Sequence, residues 1–298
     1  MMKRSSANLL LLLASLIWGS TFVAQSLGMA VVGPFTFTAV RFFLGALVVL
    51  PFAIREYRQL IARGGRVTRR DWLSWVGLGV LLAGGVNLQQ IGLISTSVSN
   101  AAILTALYVP AVPLLGWLLY RDRVHVTTWF AIAGCLCGIF LLSGGRLSSL
   151  AKGDYWVLAS VVFWMFHVIW IGRVADKLGC PVLVAITQFL TCAVLSAFFA
   201  VTTEPITVKG LLAATPTILY GGLLSVGIAY TLQVVAQRHT TPTDAAILLS
   251  SELLFGAIGG AIMLGDRLGM LQLAGGLLIF ASILLVQILP TLRQFRRL

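Results

Sequence analysis

The sequence predicts an all-α integral membrane protein, ten transmembrane helices arranged as two inverted five-helix repeats. Four observations predict it. The 298 residues are 59% hydrophobic and 10% charged, with a mean hydropathy of +0.98. Apolar runs of about 18 or more residues, each able to cross a bilayer, follow one another with little chain between them. The segment Asn87–Arg123 returns 144 residues later as Thr231–Arg267, ungapped and with ten identities in thirty-seven positions; a Leu/Ala/Gly-rich composition alone gives roughly three. The basic residues, finally, sort to alternate breaks between the runs.

The elements come in order, separated by glycine, proline and charge. Helix 1 (7–27) comes after Lys3 and Arg4. This basic start and apolar core resemble a signal peptide, but nine further spans follow, so an uncleaved first helix is expected. Gly33-Pro34 opens helix 2 (35–54), and Arg63-Gly64-Gly65-Arg66 separates it from helix 3 (72–94). Helix 4 (98–120) contains Pro110 and Pro113, which remove backbone donors and should kink it. Helix 5 (125–142) stops at Gly144-Gly145-Arg146, and helix 6 (154–174) runs to the Gly179-Cys180-Pro181 step that opens helix 7 (181–201). Glu204-Pro205 precedes helix 8 (213–237) and Thr241-Pro242 precedes helix 9 (243–264), where Gly256, Gly259 and Gly260 permit close packing. Helix 10 (270–290) completes a single membrane domain, 1–298, with halves 1–145 and 146–298.

Charge orients this array. With the N-terminus in the cytoplasm, 16 of the 21 Lys and Arg fall in inner segments and 4 (Arg146, Lys152, Lys209, Arg267) in outer ones, leaving Arg41 inside a span. Basic residues are retained on the cytoplasmic side of membranes, so both termini are expected there, in a multi-pass protein of the cell inner membrane. The formal charge of +12 thus reflects topology; the basic residues form no compact patch, and no nucleic-acid partner is expected. Cys135 and Cys137 are two apart and diverge around a helix, which fits packing better than a metal site or disulfide.

Five helices per half is an odd number, so the halves are expected to lie in opposite orientations, with Asp122-Arg123 cytoplasmic and Asp266-Arg267 external. Weaker matches extend the repeat: Leu13-Ala14-Ser15 on Leu158-Ala159-Ser160, and Pro34 on Pro181. Inverted repeats place a binding site near the midplane at their interface, about which the halves rock to give alternating access. Several motifs, in this order, resemble the EamA type of the drug/metabolite transporter superfamily. They are Leu16-Ile17-Trp18-Gly19, Pro34 with Arg41, Ser99-Asn100-Ala101-Ala102-Ile103-Leu104 followed by Pro110, Asp122 before Gly134 and Gly138, and Gly265-Asp266-Arg267-Leu268 before Gly275-Gly276. The resemblance covers essentially the whole chain; Asp stands at 122 and 266 where family members often carry Glu. It implies a basket in which helices 1–4 and 6–9 surround a central cavity while 5 and 10 lie outside, and a secondary transporter, several family members being exporters of amino acids and other metabolites.

Polar groups in hydrocarbon are costly and face a cavity or a partner. Two formal charges lie well inside spans, Arg41 in helix 2 and Glu252 in helix 9, and the repeat sets Tyr108 at the position of Glu252. They either bind the charged ends of a substrate or form a buried structural pair; Glu252 is also a candidate for proton exchange. Helical spacing gives polar and aromatic stripes at Trp18, Thr21 and Gln25; at Tyr230, Gln233 and Gln237; and at Ser160, Trp164 and His167, with Trp170 one turn on. Helix 3 adds Asn87, Gln89 and Gln90, Gln89 being the repeat mate of Gln233. The competing reading is helix–helix glue for the amides and interfacial anchoring for the tryptophans, and anchoring is expected for Trp72 and Trp156. The lone His167 reads as a satisfied core residue in preference to a proton relay. The candidate substrate-binding set is Trp18, Thr21, Arg41, Asn87, Gln89, Gln90, Tyr108, Trp164, His167, Tyr230, Gln233 and Glu252, with no metal and no cofactor.

No enzyme constellation is present: no paired acids, no Ser/His/Asp logic and no phosphate loop. A sugar phosphate would want several basic groups, and only Arg41 lies within the spans. One Arg, one Glu, amides and aromatic walls suit a small zwitterion, an amino acid or similar metabolite. A hydrophobic cation drawn to Glu252 is the alternative, and a non-transporting scaffold or receptor is the alternative of another class, against which the lack of a soluble domain counts. The expected partners are this small molecule and the lipid bilayer, with the monomer as the working unit.

Overall fold

The computed structural model describes residues 2–96, 101, 104–121, 124–142, 145, 151–175, 177–256 and 269–295. They form helices α1 (Arg4–Met29), α2 (Pro34–Ala62), α3 (Arg69–Gly92), α4 (Tyr108–Tyr120), α5 (Val126–Leu142), α6 (Lys152–Val174), α7 (Pro181–Thr203), α8 (Val208–Gln237), α9 (Pro242–Leu249) and α10 (Met270–Phe295), with no strand among the described residues. Each overlaps its expected span. Several reach further, α2 by eight residues at its end, because the apolar run marks only the part of a helix that sits in hydrocarbon. By length and composition α1, α2, α3, α6, α7 and α8 suffice to cross a membrane, while α4, α5 and Met270–Leu285 of α10 are shorter apolar helices. The caps at Asp122 and Asp266, with Ser99-Asn100, Ala102-Ile103, Gly259 and Gly260, lie outside the described residues.

Local chemistry sets the helix starts. Pro34, Pro181 and Pro242 occupy first turns, where their missing N–H is not needed. Thr68 and Asp71 form a reciprocal capping box: the Asp71 N–H donates to Thr68 Oγ1 at 3.3 Å and the Thr68 N–H to Asp71 Oδ2 at 3.0 Å. Two expected helices are interrupted. Helix 4 breaks at Ala106-Leu107 and helix 9 at Ser250-Ser251, with residues 252–256 helical again. Among the described residues the break in helix 9 falls on its serines. α8 winds as a π-helix over Gly221–Tyr230, a rare geometry that widens the turn and redirects side chains.

The packing is that of a protein whose outside is apolar. Phe43, Leu118, Val194 and Leu212 stand 53–70% exposed, while Asn87, Gln90, Arg41, His167 and Gln188 are buried. Apolar burial drives little association in lipid, so close backbone approach and interhelical hydrogen bonds hold the bundle. α5 and α10 lie chiefly on each other, and a Cβ on Gly138 would come within 2.8 Å of the Gly275 carbonyl oxygen. α2 lies along α7; α3 contacts α6 and α7; α8 contacts α1 and α2; α4 contacts α6 and α9; α1 contacts α9. Adding five to each helix of the first half, and subtracting five in the second, maps this neighbour set onto itself.

The α2–α7 seam is clasped at both ends. Glu204, just past α7, accepts the N–H groups of Phe35 and Thr36 at 2.8 Å each and the Thr36 hydroxyl at 2.6 Å. Glu56, near the end of α2, accepts the Leu183 N–H at the start of α7 at 2.8 Å. Each carboxylate meets the positive end of the other helix and satisfies donors that have no intrahelical partner. Ion pairs Arg4–Asp244 and Lys177–Asp71, the latter at 2.5 Å, fasten further helix ends.

Candidate functional site

The two helix breaks and the π-segment meet at one place. α1 crosses helix 9 there. A Cβ on Gly19 would lie 2.5 Å from the Glu252 carbonyl oxygen and 2.8 Å from the Gly256 nitrogen, so only glycine permits this approach. The adjacent Trp18 donates from Nε1 to the Ser225 carbonyl of the π-segment at 3.3 Å and sets its ring 4.6 Å from that of Tyr230. Trp164 of α6 stacks on Tyr230, 6.4 Å away and nearly parallel at 10°. Phe42 and Phe189 approach the same ring at 5.7 and 6.2 Å.

Trp18, Trp164 and Tyr230 wall a cavity of about 60 Å³. Eight expected site residues line it: Trp18, Arg41, Gln89, Tyr108, Trp164, Tyr230, Gln233 and Glu252. Three repeat pairs meet across it, Gln89 with Gln233, Thr105 with Leu249, and Tyr108 with Glu252. Arg41 is 2% exposed, its guanidinium held 5.3 Å from the ring centres of both Phe37 and Phe42. Arg41 and Glu252 form no ion pair with each other, and neither makes a hydrogen bond among the described residues. The Tyr230 hydroxyl lies within electrostatic reach of both.

Four expected residues do not line it. Thr21 returns its hydroxyl to the Ile17 carbonyl of its own helix at 2.7 Å. Asn87 ties α3 to α7, donating to Ser196 Oγ at 2.8 Å and to the Ala83 carbonyl at 2.9 Å. His167 is fully buried with Nε2 at 2.8 Å from Gln188 Oε1 and reaches the site only by edge contact with Trp164, 5.9 Å between centres. Gln90 is fully enclosed, and neither amide atom has a partner among the described residues. Trp72 and Trp156 are part-exposed near helix starts, as anchors are.

Six lining residues were not in the expected set: Phe22, Gln25, Thr105, Val168, Ser225 and Leu249. Gln25 continues the Trp18 stripe at i+7, and Thr105 and Leu249 are repeat mates, so those three had a signal. Phe22 and Val168 look like any apolar residue of a span, and Ser225 contributes through a backbone carbonyl that only the π-segment presents.

The EamA-like transporter family model matches the chain twice, over residues 5–144 and 151–288. An uncharacterized transporter of Archaeoglobus fulgidus is 30% identical over 288 residues, covering 96% of this chain and 87% of its own. The uncharacterized inner membrane transporter YedA of Escherichia coli is 26% identical over 277 residues, covering 90% and 87%. A solved crystal structure shares the fold, with a TM-score of 0.76 at 21% identity and coverage of 96% of this chain and 98% of the other.

Proposed function

The chain belongs to the EamA-like transporter family, a multi-pass membrane protein with the family unit present twice, and on that premise we propose that it exports a small zwitterionic metabolite, an amino acid, through the cavity between its halves. The observation that carries the reading is the pair of opposite charges on one cavity. Arg41 and Glu252 face the same space without pairing, beside two tryptophans, two tyrosines and three amides. An ionised group at the bilayer centre costs about 3 kcal/mol on insertion scales, a cost that a partner of opposite charge relieves. An amino acid brings one partner for each. A lipophilic cation would relieve Glu252 and meet repulsion from Arg41.

Transport proceeds by alternating access, the halves being inverted and rocking about the cavity. The exchange symmetry of the helix neighbours and the repeat pairs facing each other across the cavity support this reading. The split of basic residues supports both termini in the cytoplasm. Five cross-links support the order of spans, each joining segments assigned to one side: Arg4–Asp244, Lys177–Asp71 and Glu56–Leu183 on the side of the termini, Thr96–Asp154 and Glu204–Thr36 on the opposite side. The monomer holds the whole cavity and is the proposed working unit, in the cell inner membrane. A counterflow screen in proteoliposomes tests the reading. Exchange of labelled amino acids is expected; exchange of lipophilic cations alone would replace it.

A further inference from the structure

The cavity carries its two charges on different walls, and the polar atoms that lack partners define an orientation. Resting on the reading above, we propose that it holds an amino acid in one pose, the carboxylate on Arg41 and Trp164 and the ammonium on Gln233 and Glu252. Among the described residues Arg41 Nε and Trp164 Nε1 are enclosed donors without an acceptor, and Gln233 Oε1 is an enclosed acceptor without a donor. Arg41 and Gln233 are each 2% exposed and line the cavity. The Glu252 carboxylate faces the same space and has no hydrogen-bond donor among the described residues. Unmade hydrogen bonds at enclosed polar atoms, and an unpaired carboxylate beside them, are costly, so these four groups are the ones a ligand satisfies.

The repeat mates of these residues are held differently. Gln89, the mate of Gln233, donates its amide N–H to Thr105 Oγ1 at 2.9 Å. Position 249, the mate of Thr105, is leucine and offers Gln233 no hydroxyl. Tyr108, the mate of Glu252, spends its hydroxyl on the Ala246 carbonyl at 3.2 Å. An ammonium group has three donors and no acceptor, and a carboxylate has acceptors only. The reverse pose would set ammonium against Arg41 and carboxylate against Glu252, leaving all four atoms unpaired. Phe22, Val168 and Leu249 offer apolar wall for the side chain.

The test uses L-leucine and its two singly charged relatives, isoamylamine without the carboxylate and isocaproate without the ammonium, as competitors of labelled leucine counterflow in proteoliposomes. In wild type both relatives compete at least about tenfold more weakly than leucine, each having lost one charged hydrogen-bonded end. Glu252→Gln and Gln233→Met bring isocaproate level with leucine and leave isoamylamine disfavoured. Arg41→Gln and Trp164→Phe do the converse, and Trp164→Phe keeps the ring stacked on Tyr230 should Arg41→Gln fail to fold. The crossed pattern supports the pose; an exchanged pattern, or unchanged competitor ratios in folded variants, overturns it. Absence of leucine counterflow in the wild type overturns the amino-acid reading itself, and is seen before any variant is made.

Discussion

The turn before Tyr108 and the turn before Glu252 carry the same two backbone hydrogen bonds, 144 residues apart. Leu107 N–H donates to the Leu104 carbonyl and Ser251 N–H to Leu248, each at 3.2 Å; Val109 donates to Ala106 at 2.9 Å and Leu253 to Ser250 at 3.3 Å. The chemistry behind them differs. In the first half Pro110 has no N–H to give the Ala106 carbonyl, and the α-helical ladder cannot pass. In the second half Leu254 stands at that position, and the Ser250 and Ser251 hydroxyls bond the Ile247 and Leu248 carbonyls at 2.7 and 2.6 Å. The same break built by unrelated means indicates that the break itself is required by the fold. The side chain just beyond the break differs between halves: a tyrosine satisfied by backbone on one side, a glutamate without a hydrogen-bond partner among the described residues on the other.

The α2–α7 seam shows the opposite balance. There the two halves use the same device, Glu56 capping Leu183 and Glu204 capping Thr36. The frame keeps the repeat's symmetry and the cavity breaks it, since a frame must serve both halves alike while the proposed ligand, with two different ends, needs unlike walls.

The largest expected effect breaks the cavity's asymmetry. Glu252→Gln lowers leucine transport about 10- to 100-fold, the worth of about 1.5–3 kcal/mol for a charged hydrogen bond, while Tyr108→Phe lowers it less than about threefold, because its hydroxyl serves the Ala246 carbonyl. Uptake or counterflow per folded transporter measures both, and equal losses would erase the distinction between halves. Next come the clasps. Glu204→Ala and Glu56→Ala each destabilise the protein by about 1–2 kcal/mol, as the loss of a helix cap does, and leave leucine affinity unchanged; thermal unfolding in detergent together with binding separates the two. Pro110→Ala restores a donor for the Ala106 carbonyl and slows transport about fivefold, the effect of roughly one hydrogen bond; unaltered rates would show that the break is not needed for movement. Smallest is Asn87→Ala, which costs about 0.6 kcal/mol of interhelical bonding, read as a small drop in melting temperature with competitor ratios as in wild type.

Much of the site is legible in the sequence. The repeat aligns Gln89 with Gln233 and Tyr108 with Glu252, and stripe spacing on α1 and α8 selects Trp18, Tyr230 and Gln233. Polarity alone, however, does not give direction. A helix inside a bundle has more than one buried face, so Asn87 and Gln89, two residues apart, serve α7 and the cavity respectively. Thr21 shows that a hydroxyl can be satisfied within its own helix and need no cavity. The Ser250-Ser251 break is hidden because serine pairs in apolar helices carry no turn signature, unlike Pro110. The Glu204 clasp is hidden because it joins residues 168 apart, which no local pattern reports.

Equilibrium binding of labelled leucine to purified wild type, Glu252→Gln and Glu204→Ala most directly tests the division between symmetric frame and asymmetric site. The account predicts affinity weakened at least about tenfold in Glu252→Gln and wild-type affinity in a less stable Glu204→Ala. Unchanged binding in a folded Glu252→Gln protein, or loss of binding in folded Glu204→Ala, would contradict it.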